Sequence, residues 1–233
     1  KVVYLSHITS FTALTFPIKQ ICSRARELGL TTIIDGAHAP NQLPLNLAEL
    51  GADFYTGNLH KWVCAPKGSA FFYARAALQP LIKPLIVSWD WTDNPLFDSG
   101  SPYLNRVQWG GTNDPAAYFA VPAALDFIAQ HDWATVRERC HALVGDWVEG
   151  MEQLTGLPRM YGQETHYQQM AIAPLPPQPD LWAFKERLNR EFKIEIPCLE
   201  WNGWQFIRVS VQGYNDSADL AHLKSALKQM LRS

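Results

Sequence analysis

The chain has 233 residues, 47% hydrophobic and 18% charged, which is an ordinary globular composition with ample apolar material for a core. Its 20 basic and 22 acidic residues give a net charge of -2 with no basic block, which argues against nucleic acid or an anionic membrane as a partner. No run of about 18 apolar residues exists to span a bilayer. The four cysteines (Cys22, Cys64, Cys140, Cys198) form no CxxC or Cys/His ligand set, so no metal site is expected and the thiols read as reduced, in a cytoplasmic protein.

In chain order, "KVVYLSHITS" has neither an initiating Met nor a signal-peptide pattern, and the chain reads as the latter part of a longer protein. Residues 2–5 read as a short buried strand. Pro17 opens a helix with Ile18, Ile21, Cys22, Ala25 and Leu28 on one face and Gly29 as its stop. Residues 31–34 are β-branched throughout and read as a second strand ending at Asp35. Strand, helix and strand in that order form a βαβ unit, which implies a parallel sheet. A short helix near 45–50, a third strand at 53–56 and a fourth at 69–73 follow. Such sheets bind ligands beyond the carboxyl ends of their strands. Ser6, His7, Asp35, Asn58, His60 and Lys61 all fall at or just after such ends.

Residues 84–113 are rich in Pro, Trp, Asp, Asn and Gly and read as one long loop of the functional or partner-facing kind. Asp114 and Pro115 cap a helix running to Gln130 with a kink at Pro122, and a second amphipathic helix covers 133–154. Thereafter "MAIA", a helix at 181–191, the strands "KIEIP" and "WQFIRVSV", and a helix at 217–231 predict a smaller α+β domain. The division is placed between residues 135 and 136.

Several residues could carry chemistry. Lys61, between His60 and Trp62, could be a desolvated nucleophilic amine that forms Schiff bases, or a lysine snorkelling at a strand end. His60 could donate to a phosphate or stack on a flat ring. Asp35 could pair with a protonated pyridine nitrogen and make that ring an electron sink, or could cap a turn. His38 could lie over or beside the same ring. "WGGTNDP" could hold a phosphate at a helix start, or be a plain turn. Arg208, on an otherwise apolar strand, needs an anion, either a substrate carboxylate or an internal partner.

Asp at a strand end, Lys 26 residues later, a Gly-Thr turn and a late Arg on a strand resemble, in that order, the class V aminotransferase family. These are fold-type I enzymes that use pyridoxal 5'-phosphate (PLP). "IDGAHAP", "LGADFYTGNLHKWVCAPKGSAFFY", "WGGTNDPAAYFAVPAALDF" and "RVSVQGYN" carry the resemblance, which covers nearly the whole chain and points to the isopenicillin N epimerase-like branch. The implied fold is a three-layer α/β/α PLP-transferase-like large domain, incomplete at its N-terminus, with a smaller α+β C-terminal domain. Residues 1–135 would be the latter part of the large domain and residues 136–233 the small one. The chain resembles the C-terminal part of a full-length member.

Carried over by position, the resemblance implies that Lys61 holds PLP as a Schiff base and removes the substrate Cα proton. Asp35 would pair with the pyridine nitrogen and His38 would lie near the ring's phenolic oxygen. Asn58 and His60 match phosphate-binding positions. Thr112 would reach the phosphate of a neighbouring subunit in a homodimer, Arg208 would grip the substrate carboxylate, and Ser10 falls near a position that contacts substrate or cofactor. The implied substrate is an amino acid, and epimerisation, transamination and β-elimination all begin the same way. A cysteine desulfurase or C–S lyase of the same family is the alternative. It needs a mobile cysteine, for which Cys198 is the candidate, although "EIPCLEW" reads as a strand end with a buried thiol. A truncated, non-catalytic relative that only binds a partner is a further alternative, and an unrelated parallel α/β binding domain would have no reason to contain the His60–Lys61 segment. The Trp-rich segment 86–100 is expected at a dimer interface or as a lid, or folded over its own domain.

Overall fold

The structure, a computed structural model, describes residues 1–89, 91–96 and 98–231. The Trp-rich segment 86–100 is thus described apart from Asp90 and Phe97, and residues 232 and 233 of the C-terminal segment also lie outside the described residues. A first sheet has the order β1 (Val2–Ser6), β2 (Thr31–Asp35), β3 (Phe54–Asn58), β4 (Ala70–Ala74). β1 pairs with β2 and β2 with β3 in parallel, as the βαβ reading requires. The crossover helix α1 (Ile18–Glu27) buries Ile18, Cys22 and Ala25 and ends before Gly29, whose φ of 64° suits a residue without a Cβ. β4 runs antiparallel to β3. Residues 59–69 contain no helix, and a connection this short cannot make the crossover that a parallel neighbour needs.

Two buried features lock this sheet. Asp53 Oδ2 accepts from the Thr32 backbone N–H at 2.9 Å, and its Oδ1 accepts from Arg75 Nε at 2.9 Å, which joins β2, β3 and the end of β4. The fully buried Tyr55 ring lies against Gly36, where a Cβ would overlap it. A short helix α2 (Leu47–Leu50), capped by the Asn46 side chain, precedes β3.

Residues 84–113 are not one loop. Ser101 accepts from the Leu104 N–H at 3.3 Å and Pro102 occupies the first turn of α3 (Pro102–Val107), whose six residues are too few for a periodic signal. The expected kink at Pro122 is a break. α4 (Ala116–Phe119) and α5 (Val121–Gln130) are separate, and Pro122 stands in the first turn of α5, where its missing N–H does no harm.

The long α6 (Trp133–Thr155) packs on β5 (Met170–Leu175) and on the C-terminal α8 (Ser217–Met230). β5, β7 (Trp204–Ser210) and β6 (Cys198–Trp201) form a second, antiparallel sheet in the order β5-β7-β6, with α7 (Leu181–Phe192) between β5 and β6. The strand expected at "KIEIP" lies further on. Lys193 turns the chain at the end of α7 with φ 59°, and pairing starts at Cys198 opposite Ile207, after Pro197, which has no N–H to offer. Val144, Leu188, Phe206, Ile207 and Leu227 centre the core of this part, while Ile8, Ile18, Ile34 and Tyr55 centre the core of the first sheet. Among the described residues no helix is long and apolar enough to cross a membrane.

Candidate active site

The carboxyl ends of β1, β2 and β3 lie side by side, and β7 faces them. His7 follows β1 and its backbone N–H donates to the Asp35 carbonyl at 2.8 Å. Asp35 ends β2, half-buried, and its Oδ1 accepts from the Ala37 N–H at 2.9 Å. That bond folds the chain sharply, so that His38 returns over the strand end. Lys61 follows β3 in the connection to β4.

Lys61 Nζ lies 3.2 Å from His38 Nε2. Burial lowers the Lys61 ammonium below the usual lysine range; the Asp35 carboxylate opposes this and the Arg208 guanidinium adds to it. His38 is buried, and burial, with the charges of Lys61 and Arg208 and against that of Asp35, pulls its pKa down to about 4. Asp35, His38, Lys61 and Arg208, predicted as site residues from separate parts of the sequence, therefore feel one another. Beneath them His7 Nδ1 and Tyr55 Oη pair at 2.9 Å, and burial brings His7 down to about 4 as well.

Arg208 Nη1 donates to the Ser10 carbonyl, so Ser10 meets the cluster through its backbone. Tyr161 holds the Ser10 loop in place: its hydroxyl donates to the Thr12 carbonyl at 2.6 Å and accepts from the Ile172 N–H at 2.8 Å. The described residues do not supply the anion that a strand arginine needs. Among the described residues Arg208 makes no ion pair, its Nε is buried with no hydrogen-bond partner, and burial lowers its pKa. An internal salt bridge is thereby ruled out among the described residues.

His60 Nδ1 donates to the Ser69 carbonyl at 3.0 Å, so its Nε2 offers an N–H only when the ring carries both hydrogens. Asn58 closes β3 opposite Ala70, half-buried. Thr112 is exposed in the turn before α4, and no hydrogen bond or ion pair among the described residues ties it to Lys61. Cys198 opens β6 and is half-buried; burial pushes its thiol up to about 11, the wrong direction for a nucleophile. Among the described residues no three His, Cys, Asp or Glu side chains are grouped to hold a metal ion.

Sequence reasoning passed over the buried amides that hold this corner together. Gln42 Nε2 donates to the His38 carbonyl at 2.7 Å, and its Oε1 accepts from the Gln169 N–H, 127 residues away, at 3.0 Å. Gln212 Nε2, 150 residues from its partner, donates to the Trp62 carbonyl at 3.1 Å. Glutamine is common on surfaces, and no local pattern marks one whose partner lies this far along the chain. The only signal was position: Gln212 follows β7, and Gln42 follows the His38 turn.

A family model described as aminotransferase class-V matches residues 1–223. The isopenicillin N epimerase of Amycolatopsis lactamdurans is 31% identical over 245 aligned positions, covering 99% of this chain and 60% of that protein. An L-cysteine desulfhydrase of Arabidopsis thaliana is 31% identical over 131 positions, covering 55% of this chain and 27% of that protein. Among solved structures, the apo cysteine desulfurase of Thermococcus onnurineus NA1 superposes with a TM-score of 0.83 at 15% identity, over 100% of this chain and 60% of that one. That likeness carries the fold, and it bears out the expected PLP-transferase-like α/β architecture. The chain spans about 60% of the length of the epimerase that it matches.

Proposed function

Because the chain belongs to the class V aminotransferase family, whose members depend on PLP, we propose that it serves an enzyme acting on the Cα–H bond of an amino acid. The observation that carries the reading is the 3.2 Å approach of Lys61 Nζ to buried His38, with Asp35 and Arg208 acting on both groups.

The residues fit the cofactor. A primary amine whose ammonium form is disfavoured suits covalent attachment to an aldehyde. A half-buried carboxylate at a strand end suits a pyridine nitrogen, and the buried, unpartnered Arg208 Nε suits a carboxylate. When bound, PLP supplies an electron sink that acidifies the substrate Cα–H. Lys61 would hold it, Asp35 would face its ring nitrogen, and Asn58 and His60 would lie at its phosphate. Arg208 binds and orients the amino acid through its carboxylate, and Lys61, once free, takes the Cα proton on Nζ. His38 orients the Lys61 amine.

Epimerisation is the favoured outcome, since the epimerase of A. lactamdurans is 31% identical over 99% of the chain, whereas desulfhydrases that cover it as fully are 25–26% identical. A C–S lyase reading follows from the desulfhydrase match; a cysteine-nucleophile version of it is disfavoured by the raised Cys198 thiol. We read the protein as a cytoplasmic homodimer in which the Thr112 turn serves the neighbouring subunit. The exposure of Thr112 and of Leu85, Ile86 and Trp89 before it supports the homodimer.

The test is to mix the protein with PLP, reduce with borohydride, digest, and locate the modified lysine by mass spectrometry. One adduct on Lys61, absent in Lys61→Ala, is expected. Labelling spread over surface lysines would sink the assignment and leave the chain a non-catalytic relative.

A further inference from the structure

Trp62 follows Lys61, and its indole has its own part in the site. Trp62 Nε1–H donates to His38 Nδ1 at 3.3 Å, while the Nε2 of the same imidazole meets Lys61 Nζ at 3.2 Å. An indole nitrogen can only donate, so Nδ1 must present its lone pair. The ring is neutral at physiological pH, because burial and its cationic neighbours hold its pKa near 4. A neutral imidazole with a bare Nδ1 carries its one hydrogen on Nε2. That hydrogen faces Lys61. An ammonium has three hydrogens and no lone pair to receive it, whereas a neutral amine has one. Indole donor, Nε2–H imidazole and neutral amine are the one arrangement in which no two hydrogens confront each other.

We propose that Trp62 is a positioning residue that locks His38 as the Nε2–H tautomer, so that the imidazole acts toward Lys61 only as a donor and selects the neutral amine. The geometry stands alone; its catalytic consequence rests on the reading of Lys61 as the reactive amine. His38 on this account is a donor toward Lys61 and not a base there.

Both partners of the lock are fixed through their backbones. The carbonyl of buried Trp62 accepts from Asn41 Nδ2 at 2.8 Å and from Gln212 Nε2 at 3.1 Å, and the His38 carbonyl accepts from Gln42. The indole is therefore held at its post from both sheets. The charged groups that act on the pair are Asp35 and Arg208, and they pull Lys61 in opposite directions. Trp62 tips that balance toward the amine without adding charge. If Lys61 became an ammonium, His38 would move its hydrogen to Nδ1, where it would face the indole N–H, and the Trp62 bond would be lost. The loss of one ordinary hydrogen bond corresponds to a shift of about half to one pH unit in Lys61.

The test uses cofactor-free protein labelled with 15N-histidine, with His38 assigned by its absence in His38→Gln. Two-bond nitrogen–proton spectra at neutral pH are expected to show His38 protonated on Nε2. Trp62→Phe, which keeps a ring and removes the donor, is expected to move hydrogen to Nδ1, while Lys61→Met leaves it on Nε2. A wild-type His38 protonated on Nδ1, or a tautomer indifferent to Trp62→Phe, overturns the proposal. The wild-type spectrum decides this even if Trp62→Phe fails to fold. In a second readout, the pH dependence of Lys61 acetylation by acetic anhydride should move up by about half to one unit in Trp62→Phe; no movement overturns the selection of the amine. A missing PLP adduct on Lys61 would leave the tautomer result intact, and a wrong tautomer would leave the adduct intact, so the two ideas fail separately.

Discussion

Around Lys61 the unusual residues are polar and buried; along residues 82–131 they are apolar and exposed. His7, His38, Gln42, Gln169 and Gln212 are all buried, and each has a hydrogen-bond partner within the corner. In the other region Leu85 is 103% and Phe119 79% exposed, and neither α4 nor α5 buries a single side chain. Among the described residues the first region contains nearly all the partners that its polar groups require, with Arg208 Nε and Gln169 Oε1 left over. The second leaves many of its described apolar groups exposed. An unpaired guanidinium in a polar corner suits a small anionic molecule, and an exposed apolar face suits a protein surface.

The contrast can be broken at its foundations first. Phe206→Ala should cost about 3–5 kcal/mol in chemical unfolding, because the ring is fully buried in the core beneath β7 and its loss unseats the strand that carries Arg208. The pH dependence comes next. His7 and His38 have folded pKa values of about 4 against 6.5 unfolded, so the unfolded chain binds protons that the folded one refuses. Stability is full above pH 6.5 and falls as pH drops from 6.5 to 4, by on the order of 3 kcal/mol per histidine. Thermal scans should show this limb, and His7→Asn should flatten it by about half; an unchanged slope would mean that His7 is not held neutral.

Gly36→Ala should cost about 1–3 kcal/mol, since its Cβ would overlap the Tyr55 ring at the root of the His38 turn. Its effect should appear as lost PLP labelling of Lys61 as well as a lower unfolding midpoint. The smallest effect sharpens the other side of the comparison. Phe119→Ser should change folding stability by less than about 0.5 kcal/mol while weakening self-association in sedimentation. A large stability loss there would show that the exposed face has a partner within its own chain.

The elements of the first sheet were legible because their signals are local. Four β-branched residues before Asp35, a 3.6-residue apolar stripe between Pro17 and Gly29, and the strand-end placement of Lys61 each reside in a dozen residues or fewer. The same locality explains the misreadings. "KIEIP" has the composition of a strand, yet where pairing begins was settled by the Lys193 turn and the missing N–H of Pro197. Pro122 announced a disturbance, and its position in the helix made that a break.

Sequence by itself therefore determined which residues could do chemistry: Asp35, His38, Lys61 and Arg208 are rare types at strand ends or on an apolar strand, and rarity in context is readable one position at a time. Tertiary structure alone decided what they are to one another. That Arg208 has no carboxylate partner among the described residues, that Trp62 dictates which nitrogen of His38 bears the hydrogen, and that Gln42, Gln169 and Gln212 fasten the corner all depend on contacts between residues up to 150 positions apart. Hydrogen bonding is directional and short-ranged in space, and only the fold brings such residues within its reach.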